Sequence, residues 1–519
     1  MIHTPAWRLF SGARAIAWLL TAGLTGWIEV SLRSEDVLEG GRQLATQYCS
    51  ACHLLPEPAL LDRRTWREGT KPMMRKRLGL ESLRLDDPAQ RQIMAEWELI
   101  WNYYETNAPV QMPRQPVHPP IGSGLTRFEP VFLEYHPTNR LICMVQIDST
   151  RHQIYAGNAR AKTLDTLSAD GHLLASLSLN SPPVEMVPTA SGYLVPLIGN
   201  VLPHDGRLGK VVRLRANDRG VEAPVTLIPA LPRPTSVATA DLNGDGRLDI
   251  VVCGYGHTVG SFGWWESRGS EGYTEHVLLD RPGAIHAVIR DFDRDGRPDI
   301  LVLMAQAQEE LCWFRNLGGG LFEQRSLLRF QSVWGSTSFE VADFNGDGMD
   351  DILITNGDNG EYKSCLKPYH AIRIYLNDGQ QNLSEGWSYP LNGAFKAIAR
   401  DFDGDGDLDI AAISFFPDYE NSPLESFVYF ENNRSGNAPG ALNFVPQSLD
   451  EAVAGRWLVM DAGDLDGDGD LDIVLGSANH VPFGVPKALY ERWETEGPVV
   501  LLLRNTTKSP KQRPSPKAK

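Results

Sequence analysis

The stretch with the most chemistry in it is Y-C-S-A-C-H at residues 48–53. Two thiols three residues apart, followed directly by an imidazole, can hold a heme, hold zinc, or cycle as a dithiol redox pair. Structural zinc needs four ligands, and the next cysteine, Cys143, lies far beyond a proline-rich stretch. A thiol pair would open a helix after a strand, whereas EDVLEGGRQLATQY (35–48) itself reads as a helix leading into the motif. The spacing favours heme c, one covalent group. Cys49 and Cys52 can add across two vinyl groups of a porphyrin, and the turn between them sets His53 beneath the iron as axial ligand.

Helices have to position such a motif. Gly41, Leu44 and Tyr48 recur at helical spacing before it. A second helix is expected over 87–105, with Ile93, Trp97, Ile100, Trp101 and Tyr104 on one face. Pro56 or Pro58 is expected to offer a carbonyl to the His53 ring N–H and fix its orientation. Together these residues resemble a small, all-α class I cytochrome c. Candidate sixth ligands are Met73, Met74, Met94 and Met112. The run KPMMRKRLGL resembles a P-x-M-x-x-R-L-G pattern that accompanies heme domains fused to repeat propellers, and that resemblance selects Met74, with Met73 second. His/Met ligation raises the reduction potential, which suits an electron carrier.

Most of the remaining chain repeats one pattern: DLNGDGRLDI (241–250), DFDRDGRPDI (291–300), DFNGDGMDDI (343–352), DFDGDGDLDI (401–410) and DLDGDGDLDI (464–473). A period of this size signals a solenoid or a propeller. Oxygen-bearing side chains fall at positions 1, 3, 5 and 9 of each copy, with glycine at 6 and a backbone carbonyl available at 7. That is the ligand logic of an oxygen-only calcium loop. The candidate ligands are Asp241, Asn243, Asp245, Arg247 (carbonyl) and Asp249; Asp291, Asp293, Asp295, Arg297 (carbonyl) and Asp299; Asp343, Asn345, Asp347, Met349 (carbonyl) and Asp351. The last two copies add Asp401, Asp403, Asp405, Asp407 (carbonyl) and Asp409, then Asp464, Asp466, Asp468, Asp470 (carbonyl) and Asp472. The flanks are β-like, so this is no EF-hand. About five Ca²⁺ ions would carry the formal charge from −16 to about −6, and would hold together turns that their own carboxylates repel.

Each loop is followed by β-rich runs, the third ending in WWESRG, CWFRNLGGG, IYLNDG, VYFENN or LLLRNTT. Five such units, with two loop-free stretches upstream at 145–179 and 185–215, give a mainly β, seven-bladed propeller. The repeats resemble the FG-GAP/VCBS family of integrin-type and secreted bacterial propellers over roughly 130–507. That resemblance implies the fold but no single activity.

If each acidic loop joins a blade's first strand to its second, the connection to the third strand lies on the opposite face. That face would collect 257–265, 357–370, 415–425 and 477–493, and would receive the strand starts near His286, Trp334, Lys396 and Trp457. Long connections are usually functional. Asp358, Lys367, Tyr369, His370, Asp418 and His480 are the candidate substrate or partner residues.

Arg8 and Arg14 ahead of the apolar stretch 15–28 give an export signal or membrane anchor, and hence a periplasmic or cell-surface location. The expected organisation is signal or anchor at 1–30, heme domain at 35–108, Pro-rich linker at 109–127, propeller at 128–507 and basic tail at 508–519. The acidic balance excludes a nucleic-acid partner. Cys143, Cys253 and Cys312 sit in apolar runs and read as core thiols. The functional expectation is electron transfer to an unidentified redox partner protein, with the propeller docking a partner or binding a carbohydrate or other small molecule. Two alternatives are a sugar or alcohol dehydrogenase feeding its own heme, and a carbohydrate-binding or lyase-type module.

Overall fold

The computed structural model describes residues 34–51, 53–138, 140–190, 192–217, 220–360, 365–433, 440–479 and 484–508. The export or anchor segment, Cys52, His480 and the tail beyond 508 lie outside the described residues. The chain divides into two compact units, Met1–Pro113 with Gly360–Lys367, and Arg114–Asn359 with Pro368–Lys519.

The first unit is helical. Helix α1 (Ser34–Cys49) begins with Glu35 and Asp36 in its first turn, where carboxylates complement the helix dipole. Helix α2 (Lys71–Arg77) ends in three basic residues for the same reason at the other pole. Helix α3 (Pro88–Asn107) starts on an Asp87 cap that accepts the Ala89 N–H, with Pro88 at a first-turn position that needs no N–H. The buried residues of α3 are Trp97, Ile100, Trp101 and Tyr104, four of the five residues in the expected stripe; Ile93, the first, is half-buried. Gly41 is where α1 meets α3. A Cβ there would sit 2.4 Å from the Leu99 carbonyl oxygen and 2.8 Å from Tyr103 Cβ. Gly41→Ala should therefore push the helices apart and cost about 2–3 kcal/mol, as overpacking does, measured by denaturant unfolding of the helical signal. An unchanged midpoint would show that the helices do not cross at this residue.

The second unit is a ring of seven four-stranded antiparallel blades. Blade 1 spans Ile142–Asp148 to Leu173–Ser178, and blade 2 spans Val187–Thr189 to Val225–Leu231. Blades 3, 4 and 5 open on Pro234–Ala240, Ala284–Arg290 and Ser336–Ala342. Blade 6 (Ala394–Arg400 to Phe444–Ser448) carries Gly122–Ser123 as a fifth, parallel edge strand. Blade 7 has three strands from the end of the chain, Trp457–Gly463, Asp472–Ser477 and Val500–Asn505. Its fourth strand, Phe128–Phe132, comes from the start of the unit and pairs Phe128 with Asn505. This strand exchange closes the ring and protects the sheet edge at the seam.

The ring is cemented between blades. Each pair of neighbours shares an apolar cluster; Ile398, Phe427 and Tyr429 of blade 6 meet Trp457, Leu475 and Leu503 of blade 7, and Val474, Val500 and Leu502 of blade 7 meet Ile142, Ile154 and Leu167 of blade 1. Second strands such as Asp299–Met304 and Asp409–Ser414 are buried along their whole length. They therefore read as continuous apolar runs, not alternating ones.

Three details differ from the sequence reading. Blade 2 extends to Leu231, because a small hairpin (Ala216–Asn217 with Gly220–Val221) separates its third and fourth strands. Residues within 477–493, read as a loop, hold a helix, α4 (Lys487–Thr495), anchored by buried Trp493. Part of the Pro-rich stretch packs within the second unit: Tyr389 donates its hydroxyl to the Pro119 carbonyl at 2.8 Å, and Ile121 joins the cluster between blades 5 and 6.

Candidate functional site

In the first unit, Cys49 closes α1 and is half-buried, and His53 follows in a bend. His53 Nδ1 lies 2.8 Å from the Leu54 carbonyl oxygen. A carbonyl can only accept, so Nδ1 carries the ring proton and Nε2 keeps its lone pair. This is the tautomer a metal-ligating imidazole needs. The expected partners, Pro56 and Pro58, are otherwise engaged. The Pro56 carbonyl accepts from Tyr104 Oη at 3.0 Å and the Pro58 carbonyl from Trp66 Nε1 at 2.8 Å. Those two bonds tie the segment after the motif onto α3 and onto an aromatic cluster in which Trp66 and Tyr104 lie 4.5 Å apart and Trp97 and Trp101 5.1 Å apart.

The first unit also holds buried donors. Trp97 Nε1, Trp101 Nε1 and Thr70 Oγ1 are buried with no hydrogen-bond partner among the described residues. Buried polar groups are normally paired, so these three are open to acceptors supplied by water or by a bound group. A porphyrin with two carboxylates is such a group, and the residues present fit it. Met73 and Met74 are both half-buried on α2. Cys365 belongs to this unit too, with Sγ 3.2 Å from Asp62 Oδ2, and burial first pushes its thiol up to about 11. It is an inert packed thiol, as are buried Cys143, Cys253 and Cys312.

In the second unit, all five acidic loops join a blade's first strand to its second, the topology expected from the repeats. Within a loop the residues hold their own backbone. Asp343 accepts the N–H groups of Gly346 and Gly348, both at 2.7 Å; Asn345 accepts that of Asp347 and Asp347 that of Met349. Gly348 at φ 84° occupies the left-handed region that position 6 demands. Carboxylate oxygens of Asp291/Asp293/Asp295, Asp401/Asp403/Asp405 and Asp464/Asp466/Asp468 converge within 4.8 Å of one another. Like charges so close, on an oxygen-only set, fit a hard divalent cation. Position 7 varies freely in side chain: Arg247 and Arg297 turn back to pair with Asp245 and Asp295. That freedom is what a carbonyl-only contribution allows.

Position 9 has a further task. Asp249, Asp299, Asp351, Asp409 and Asp472 are buried, and each divides its two oxygens in the same way. In Asp409, Oδ2 accepts from Phe402 N (3.2 Å) and Tyr429 Oη (2.7 Å), while Oδ1 accepts from Asn432 N (2.8 Å). In Asp351 the partners are Phe344 N and Asn377 N, both at 2.9 Å. Position 9 thus rivets the loop to the third strand. Burial pushes Asp351 up to about 6 and Asp409 up to about 7.

The residue that meets position 9 was missed in the sequence reading. Asn377, Asn432 and Asn505 end their third strands and Asn316 stands two residues before the end of its own, with Ser267 in the remaining copy. Asn316 also reaches back one blade to the Leu242 carbonyl, and Asn505 to that of Phe402. The signal was present: asparagine recurs in CWFRN, IYLN, VYFEN and LLLRN at one register.

The candidate face residues divide. Tyr369 stacks on Trp334 at 6.0 Å, with the Arg373 guanidinium 4.4 Å over the same indole. Asp358 is half-buried, and its N–H meets the Gly335 carbonyl at 2.9 Å. His370 is buried, and its Nδ1 accepts the Gly393 N–H. Lys367 is also buried and falls in the first unit. Asp418 caps a turn by accepting from Asn421 N, and its own N–H goes to Glu425, whose carboxyl burial pushes up to about 7. His370 and Asp418 thus organise connections. His480 lies outside the described residues.

Comparison with known proteins agrees with the repeat pattern. A model of the FG-GAP-like repeat matches residues 201–252, 291–354 and 401–475. Cartilage acidic protein 1 of Xenopus tropicalis is 28% identical over 295 residues, which is 51% of this chain and 42% of that protein. The chain thus matches under half the length of that curated relative. Among solved structures, the WD40 repeats of RRP9 align at 10% identity over 75% of this chain and 100% of theirs, with a TM-score of 0.43. A 6-phosphogluconolactonase candidate from Bacteroides fragilis aligns at 12% identity over 59% of this chain and 84% of its own, with a TM-score of 0.40. The chain carries FG-GAP-like repeats folded as a seven-bladed β-propeller.

Proposed function

We propose that this FG-GAP-repeat propeller is a calcium-braced binding platform carrying a covalent heme c unit, and that the protein transfers single electrons outside the cytoplasm. The observation that carries the heme reading is the pairing of the C-x-x-C-H motif with a His53 whose ring proton is committed to the Leu54 carbonyl. A heme held in this way supplies reversible one-electron transfer when bound. Cys49 and Cys52 would anchor it through thioethers, and His53 Nε2 would be one axial ligand. Trp97 and Trp101 would donate to its carboxylates, and their aromatic cluster would keep water away. Met74 is the proposed sixth ligand and Met73 the second choice.

The binding-platform part is supported by the FG-GAP-like repeats and by the stretch shared with cartilage acidic protein 1. Its calcium sites would be positions 1, 3, 5 and 9 of the five loops with the position-7 carbonyls. Export, through residues 15–28, accompanies heme attachment and disulfide-free calcium loops in one compartment.

The test is direct. Protein expressed with a heme-attachment system should show a pyridine hemochrome spectrum of the thioether type, retained after acid–acetone extraction. Cys49→Ser combined with Cys52→Ser should abolish it. Colourless wild-type protein would overturn the heme reading. A panel of sugars and alcohols added to the oxidised protein separates carrier from dehydrogenase, because only the latter reduces its heme.

A further inference from the structure

The inner rim of the propeller holds polar side chains that neither the acidic loops nor the C-x-x-C-H motif uses. In six blades the first strand shifts register near its start, immediately before Met144, Ser236, His286, Ser338, Lys396 or Val459. These positions lie at the end of the central channel away from the acidic loops, which follow the other end of the same strands. Glu185, just ahead of the first strand of blade 2, completes the set.

Neighbouring blades connect through these groups. Ser236 Oγ lies 3.2 Å from Glu185 Oε1 and 3.1 Å from His286 Nδ1. Glu185 Oε2 accepts the Val237 N–H at 2.7 Å, and Asp461 Oδ2 accepts the Ile147 N–H at 2.7 Å. Lys396 holds in blade 6 the register position that His286 holds in blade 4, and its charge acts on Glu185, His286 and Asp461. Yet among the described residues no carboxylate comes within 4.0 Å of its ammonium. Lys396 is itself partly buried, and its ammonium N–H groups can donate to hydroxyl oxygens.

The Glu185 and His286 side chains keep 24% and 35% exposure. Burial nevertheless pushes the Glu185 carboxyl up to about 7 and the His286 imidazole down to about 4; the Lys396 charge opposes the first shift slightly and reinforces the second. Both side chains sit at the channel end of the first strands, and His286 is a neutral ring with one donor and one acceptor. This end of the channel therefore has an ammonium donor, carboxylate acceptors, and hydroxyl and imidazole groups that do both. An anion there would meet Glu185 and Asp461, and a cation would meet Lys396. A neutral molecule with several hydroxyls can answer all of them, since each hydroxyl donates and accepts.

We propose that the central channel of the propeller binds a small neutral polyol, with Lys396, His286 and Glu185 as its polar contacts. The site is independent of the heme reading, because none of its residues belongs to the first unit.

The test uses the full-length protein with calcium present. D-glucose, D-galactose and myo-inositol are titrated by calorimetry and by saturation-transfer NMR, with sodium phosphate and sodium gluconate as anionic controls. One neutral probe should bind saturably at one site per chain. Lys396→Met and His286→Gln should each weaken it about tenfold or more, the size expected for losing one hydrogen bond to a charged or desolvated group, with an unchanged melting temperature. Absence of binding by every neutral probe to the wild-type protein overturns the proposal, even if a variant fails to fold. So does binding that both folded variants leave intact, or tighter binding of phosphate or gluconate.

Discussion

Replacing Asp409 with alanine should cost the propeller about 3–6 kcal/mol, among the largest effects any single side chain here can have. The carboxylate accepts from Phe402 N, Asn432 N and Tyr429 Oη while buried in blade 6. Its removal leaves two backbone N–H groups and a phenol in a dry interior, each orphaned group costing about 1–3 kcal/mol. Both ends of the damage matter, since Phe402 N belongs to the loop and Asn432 N to the third strand. Asp409→Asn keeps one carbonyl oxygen and turns an NH₂ toward the other donors, so it should lose about half as much. Urea unfolding followed by tryptophan fluorescence, with the slope compared between variants, gives the numbers. If Asp409→Ala unfolds within about 1 kcal/mol of wild type, position 9 is not the rivet described. The equivalent substitution at Arg247, whose side chain contacts only the exposed Asp245 and Ser267, should change little by comparison.

Removal of calcium is the second large effect. Loops of this kind bind at about 10⁻⁴–10⁻³ M, so at a Kd of about 0.5 mM and about 5 mM calcium each site adds about 1.4 kcal/mol, or about 7 kcal/mol for five independent sites. Chelation should therefore lower the melting temperature by many degrees, and calcium, added back in excess, should restore it. Magnesium at the same concentration should restore much less, because it demands octahedral geometry and gives up its waters reluctantly. A melting curve indifferent to both chelator and calcium would leave the five loops as hydrogen-bonded turns and nothing more. The geometry already shows how such turns survive: Asp343, Asn345 and Asp347 each accept backbone N–H groups of their own loop. What a cation would add is relief of carboxylate repulsion in sets such as Asp464, Asp466 and Asp468.

Much of the architecture was legible because propeller blades are local. The position-1-to-9 pattern, with glycine at 6, marks a turn between two strands, and five copies in register announce five blades before any packing is known. The second strands declared themselves as unbroken apolar runs, DILVLM and DIAAIS among them, because both of their faces are covered. The stripe of α3 was equally plain, since Trp97, Ile100, Trp101 and Tyr104 repeat at the helical period.

What escaped the sequence involved partners far away in the chain. The two prolines picked to orient His53 are taken by Tyr104 and Trp66, and the adjacent Leu54 carbonyl does the work. His370 and Lys367 looked like exposed functional groups in a long connection but are buried. Composition cannot distinguish a polar side chain facing solvent from one satisfied inside, because the answer depends on which distant N–H or C=O lies opposite.

By itself, then, the chain determined its local chemistry: a thiol–thiol–imidazole triplet at the end of a helix, and oxygen-bearing side chains spaced to converge within ten residues. Those depend on separations along the backbone, which folding cannot alter. Only the tertiary structure decided that Phe128–Phe132 completes the last blade, that position 9 is shared between a loop and a remote third strand, and that Glu185, Ser236, His286 and Lys396 come to surround one axis. Ring closure brings together residues more than two hundred positions apart, and a linear pattern carries no information about which of them will meet.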